Sequence, residues 1–185
     1  MNILFVNACV RKNSRTNVLA RYFLEKLKGE ITEINLEKEN IQPLNEKTLE
    51  KRNEILEKGE LDSPVLKYAK QFANADLIVF SAPFWDLSFP AMVKNYIEAV
   101  CVSGVTFCYE NNQPKGLCKA KKLVYITTAG GPVFVDFGYS YLKALAQSCF
   151  GIPETLCIKA ENLDVIGNDT EKILNNAKNE IDKIV

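Results

Sequence analysis

Three short clusters in this chain of 185 residues hold the residue types from which a binding site is built. The first is Asn13-Ser14-Arg15-Thr16-Asn17. Two hydroxyls and a guanidinium at a helix start, with free backbone N–H groups and the positive end of the helix dipole, suit a phosphate. The same residues also suit an ordinary helix cap by Ser14. The cluster is neither a GxGxxG fingerprint nor a Walker A loop. The second is Ala82-Pro83-Phe84-Trp85-Asp86-Leu87-Ser88-Phe89-Pro90, which puts four large apolar residues into a loop. They read as a wall for a flat aromatic ligand, or as an anchor for the loop or a partner subunit. The third is Thr127-Thr128-Ala129-Gly130-Gly131-Pro132. Its glycines let a backbone approach a ligand closely and offer N–H groups to it, or make a tight strand-to-helix turn.

Other chemistry is excluded. The chain has no histidine, so it contains neither a His-based triad nor a His-ligated zinc site. Its six cysteines stand at 9, 101, 108, 118, 149 and 157 without CxxC spacing. That pattern reads as reduced, buried thiols. Cys9 sits beside the first cluster, where a helix start can lower a thiol pKa. Lys+Arg and Asp+Glu both number 23, so no basic excess favours nucleic acid. No apolar run approaches the roughly 20 residues that span a bilayer. Met1–Asn7 lacks the cationic start and small-residue cleavage site of a signal peptide. The expected compartment is the cytoplasm.

The elements that must position these clusters alternate. Residues 2–7, 76–83 and 122–128 are short apolar runs of buried-strand type. Residues 31–36 alternate like an edge strand, and 155–159 form a fifth strand. Helices are expected over 18–27, 64–73, from 90 to about 101, 137–150 and 170–184. Ser63-Pro64 has the form of an N-cap followed by proline at the first helical position. Residues 37–62 read as a long surface excursion with room for one short helix around Leu49, Ile55 and Leu56. Residues 105–114 read as an extended arm and turn. The order β-α-β-α-β-α-β-α-β specifies one α/β domain over 1–185: a flavodoxin-like, doubly wound, five-stranded parallel sheet with helices on both faces. The three clusters follow the carboxyl ends of the first, third and fourth strands and should converge on one crevice.

With Lys94-Asn95-Tyr96 and Gly104-Val105-Thr106-Phe107 added, the clusters and their order make the chain resemble the FMN-dependent NADH-azoreductase and quinone oxidoreductase family. The resemblance covers nearly the whole chain and is loosest over 37–62 and beyond about 132. It implies that Ser14, Arg15, Thr16 and Asn17 bind the FMN phosphate. It places Pro83, Phe84, Trp85, Asp86 and Leu87 along the isoalloxazine edge and ribityl chain. Thr128, Ala129, Gly130 and Gly131 would meet the pyrimidine end. Phe107 and Tyr109 would lie by the flavin face at a homodimer interface, with Tyr109 as a candidate proton donor. The helix after Pro90 and the arm at Val105–Tyr109 carry more large apolar residues than a monomer surface needs, which is consistent with that dimer.

Two departures stand out. The family commonly has a small hydroxyl residue after the first strand, where this chain has Ala8 and Cys9. It commonly has Asn at the position of Asp86. A carboxylate aimed at the flavin would lower its potential, whereas one aimed at solvent would not. The implied activity is hydride transfer from NADH or NADPH through flavin N5 to a quinone or azo compound, by a ping-pong cycle. The alternatives are a flavodoxin-like electron carrier, which the zero net charge disfavours, and a flavin-binding redox sensor built on Cys9.

Overall fold

The strands β1 (Asn2–Asn7), β3 (Leu77–Ser81) and β6 (Lys122–Thr128) are apolar on both faces because helices cover both. The computed structural model describes residues 1–185. Together with β2 (Glu30–Asn35) and β7 (Glu154–Ala160) they form a parallel sheet in the order β2-β1-β3-β6-β7. That is the doubly wound order expected from the alternation, with its switch point between β1 and β3.

Alternate residues of each strand feed two cores. Ile3, Phe5, Val79, Val124 and Ile126 pack under α1 (Arg15–Glu25) and α7 (Thr170–Ile184). Leu4, Val6, Ile78, Phe80 and Tyr125 pack under α4, α5 and α6 (Lys67–Asn74, Ala91–Val100 and Phe137–Leu145).

The 37–62 excursion holds two helices, α2 (Leu36–Glu39) and the twelve-residue α3 (Glu46–Glu57), where one short helix is expected. Asn45 and Thr48 form a reciprocal capping box that starts α3. Ile55 anchors it on Leu66, Ala69 and Val102. Ser63 makes no side-chain cap. Pro64–Leu66 is a 3-10 turn, so α4 begins only at Lys67. The last expected turn of the 137–150 helix widens into a π turn over Ala146–Phe150, ended by Gly151 at φ 73°.

The arm is a hairpin of β4 (Phe107–Glu110) and β5 (Gln113–Gly116). Asn111 and Asn112 turn it with φ of 52° and 60°. A Cβ on Gly116 would collide with the backbone at Phe150 and Gly151, so glycine there lets the arm lie against the π turn.

One expectation is corrected here. Val93, Tyr96, Ile97 and Val100 of α5 are fully committed to the core, so that helix leaves no apolar surplus. Exposed apolar residues are scattered over the surface, and among them Phe134, Val135 and Phe137 cluster just before and at the start of α6, with Tyr109 on the arm.

Candidate functional site

The ladder hydrogen bonds continue past the strand ends and draw the loops together. Ala8 donates to Ser81 O at 2.8 Å, Phe84 to Thr128 O at 3.0 Å, and Ala129 to Ala160 O at 2.9 Å. Between them lies a cleft of about 280 Å³, near the lower end of ligand-site volumes. Ser14, Arg15, Pro83, Phe84, Trp85, Thr128, Ala129 and Gly130 line it, so eight of the expected site residues meet in one place.

The floor at α1 is suited to an anion. Ser14 caps the helix by accepting from the Asn17 N–H at 3.2 Å, which leaves its own hydroxyl proton to donate. The N–H groups of Arg15 and Thr16, at the helix start, have no acceptor within the helix. Across the cleft the N–H groups of Gly130 and Gly131 donate to no protein acceptor. Phe84 and Trp85 supply an apolar wall, and Trp85 stays 37% exposed.

Several expected residues lie elsewhere. The Thr16 side chain does not face the cleft. It is buried, and its hydroxyl pairs with that of Thr128 at 2.6 Å between α1 and the sheet. Its backbone N–H alone stands at the helix start. The Asn17 side chain is directed to Asn7, whose amide donates to it at 3.4 Å. Gly131 is open on the Cβ side and outside the lining.

Asp86 and Leu87 form a two-residue turn at the rim, closed by paired backbone bonds between Trp85 and Ser88 at 3.0 and 2.8 Å. Both residues are left-handed, at φ 50° and 64°, and both are exposed. Phe107 and Tyr109 pack edge-to-face at 5.7 Å on the arm and do not line this chain's cleft. Tyr109 is 69% exposed.

Ala8 and Cys9 are buried and also outside the lining. Burial pushes the Cys9 thiol above its ordinary pKa, and the thiol lies 3.1 Å from the Ser81 hydroxyl. A buried thiol with a raised pKa is a poor nucleophile, which counts against the sensor alternative. The sequence reading missed Leu163 and Asp164, which reach the cleft from the loop after β7. Their approach is made by backbone bonds, Leu163 N–H to Ala129 O at 3.2 Å and Asp164 N–H to Gly130 O at 2.8 Å. Such bonds leave no signature in residue types.

Comparison with known proteins fits this geometry. The family described as "Flavodoxin-like fold" matches residues 1–185. The FMN-dependent NADH:quinone oxidoreductase 2 of Clostridium acetobutylicum is 39% identical, over 94% of this chain and 92% of its own. The FMN-dependent NADH:quinone oxidoreductase of Coprothermobacter proteolyticus is 36% identical, over 98% of this chain and 96% of its own. An azoreductase from Bacillus anthracis shares the fold with a TM-score of 0.85 at 24% identity, covering 100% of this chain and 98% of its own. The chain belongs to the flavodoxin-like family and, within it, to the FMN-dependent NADH:quinone oxidoreductases. It is therefore an oxidoreductase.

Proposed function

We propose that this chain binds FMN in the cleft and passes a hydride from NADH or NADPH to a quinone or azo compound in a ping-pong cycle. The observation that carries this reading is the convergence of two sets of free backbone N–H groups and an aromatic wall. Arg15 and Gly130 line the cleft, each beside a neighbour, Thr16 and Gly131, whose N–H also lacks a protein acceptor, and Phe84 with Trp85 make the wall. The residues present fit the cofactor. A phosphate at the α1 start meets the Ser14 hydroxyl, the helix N–H groups and the Arg15 charge. Phe84 and Trp85 would hold a flat ring system, and the N–H groups of Gly130 and Gly131 would meet its polar edge.

When bound, FMN supplies the redox chemistry, accepting hydride at N5 and returning it to the acceptor. The protein supplies position. Because one apolar slot must take two planar substrates in turn, the reductant leaves before the acceptor enters. No obligatory protein acid is required, so the lack of histidine is no obstacle.

The cleft is small and open on one side, so a second copy of the chain is the proposed cover. Its arm would bring Phe107 and Tyr109 over the flavin face, with Tyr109 as proton donor. The relatives' names support FMN, NADH and quinone; the azo acceptor rests on the structural likeness. No helix is long and apolar enough to cross a membrane. With six free thiols and no net charge, the reading is a cytoplasmic enzyme that binds no nucleic acid.

The test is anaerobic stopped-flow. FMN-loaded protein is mixed with NADH or NADPH, and bleaching near 450 nm is expected at roughly 1–1000 per second. A quinone or azo dye added next should restore the colour. Reduction no faster than that of free FMN would overturn the reading in favour of an electron carrier.

A further inference from the structure

Arg15, the one cation at the start of α1, is already engaged across the cleft. Its Nη1 donates to the Leu163 carbonyl at 3.0 Å and its Nη2 to Asp164 Oδ1 at 2.6 Å. Asp164 is held in place by its backbone bond to Gly130. A Cβ on Gly130 would press on the Asp164 carboxylate, so glycine there leaves room for the ion pair in this geometry. The ion pair thus clasps the start of α1 to the loop after β7, which backbone bonds already hold to the loop after β6.

Asp164 is the only acidic residue in a lining that also holds Arg11 and Arg15 and otherwise suits an anion. The fold does not require its charge. The carboxylate accepts from no group but Arg15, and its side chain is 62% exposed. Ion pairs so exposed contribute little net stability.

We propose that Asp164 sets the affinity for the flavin phosphate by competing with it for Arg15. The inference rests on reading the cleft as the FMN site. A phosphate seated at the α1 start must share with the carboxylate the guanidinium that would give it a charge-assisted pair. It also feels the carboxylate as a like charge. A flavin without phosphate leaves the clasp closed and is indifferent to it. Asp164 is therefore a positioning residue that acts through Arg15 and moderates the preference for a phosphorylated flavin.

The test is titration of flavin fluorescence with FMN and with riboflavin, in the wild type, Asp164→Asn, Arg15→Met and the double variant. Asp164→Asn keeps the side-chain shape and should tighten FMN binding roughly 3- to 10-fold, as expected for removing one nearby like charge in a solvated site. It should steepen the salt dependence of FMN binding and leave riboflavin unchanged. Arg15→Met should weaken FMN, and in the Arg15→Met background the gain from Asp164→Asn should shrink. Equal or weaker FMN binding by Asp164→Asn overturns the inference, as does an equal change for riboflavin. Absence of FMN binding by the wild type would instead overturn the site reading, and the inference with it.

Discussion

The Thr16 hydroxyl meets the Thr128 hydroxyl at 2.6 Å, and both residues are buried where α1 crosses the end of β6. The pair ties the phosphate-side loop to the pyrimidine-side loop, with Thr128 in the cleft lining and Thr16 behind it. Thr16→Val should therefore act on stability. It leaves the Thr128 hydroxyl without a partner, at a cost of about 1–3 kcal/mol in urea unfolding. FMN affinity should change little. Ser14→Ala should do the reverse in part, weakening FMN at least tenfold, about 1.4 kcal/mol, through loss of a hydrogen bond to a charged group. Equal effects of the two substitutions on FMN binding would refute this division of roles.

The direction of Thr16 was legible in the sequence. Thr16 precedes Leu19 by three, Ala20 by four and Phe23 by seven, so it falls on the buried stripe of α1. The hydroxyls of the cluster suit a phosphate, but the helical period decides where this one points. The sheet was legible because strands buried on both faces show continuous apolar runs, as β1, β3 and β6 do. The loops at their ends followed from topology. Two things left no trace in residue types. One is the reach of Leu163 and Asp164 into the cleft, which backbone bonds make. The other is the commitment of α5 to the core: Val93, Tyr96, Ile97 and Val100 make the same periodic pattern whether a core or a partner covers them.

Leu87 at φ 64° is the most strained residue of the cleft rim, because a branched side chain in the left-handed region costs about 1–2 kcal/mol. The conformation is enforced from outside. Trp85 and Ser88 close the turn, and Phe137 N–H donates to the Leu87 carbonyl at 2.8 Å. Leu87 is 53% exposed, so its side chain adds little packing. Leu87→Gly should stabilise the protein by about 1 kcal/mol, seen as a higher urea midpoint with unchanged slope. FMN affinity should hold, since the turn would meet the cofactor through backbone groups. A lower midpoint would show that the left-handed turn is not under strain.

Burial pushes the Cys101 thiol up to about 11 and the Cys118 and Cys157 thiols up to about 12, from an ordinary 9.0. In the unfolded chain these thiols ionise near the ordinary value. Between about 9 and 12 the folded state keeps protons that the unfolded state releases. Stability from these groups is thus complete below pH 9 and declines as pH rises toward 12. Each of these half-buried thiols adds at most about 1.4 kcal/mol per pH unit to the decline. Urea unfolding at pH 8, 9.5 and 10.5 should show the loss, and Cys157→Ala should make it shallower. Identical slopes with and without Cys157 would show that the thiol is not held neutral by the fold.

Phe134, Val135 and Phe137 are 90%, 46% and 59% exposed, a concentration of apolar surface that an isolated chain has no use for. Phe137 joins Phe89, Lys94 and Tyr141 around an apolar groove next to the Asp86–Leu87 turn. Clusters of exposed apolar residues often mark interfaces, and buried aromatic anchors dominate the energy of such contacts. A twofold dimer that covers this patch is the expected state in solution. Light scattering should give twice the one-chain mass. Phe137→Asp should weaken the dimer at least tenfold, about 1.4 kcal/mol, because burying the introduced carboxylate without a partner is costly. If Phe107 and Tyr109 complete the site of the partner copy, the same substitution should also slow flavin reduction in proportion to the monomer formed. A variant that dissociates yet keeps the full rate would show that each chain holds a complete site. A wild type that runs at one-chain mass would remove the dimer altogether.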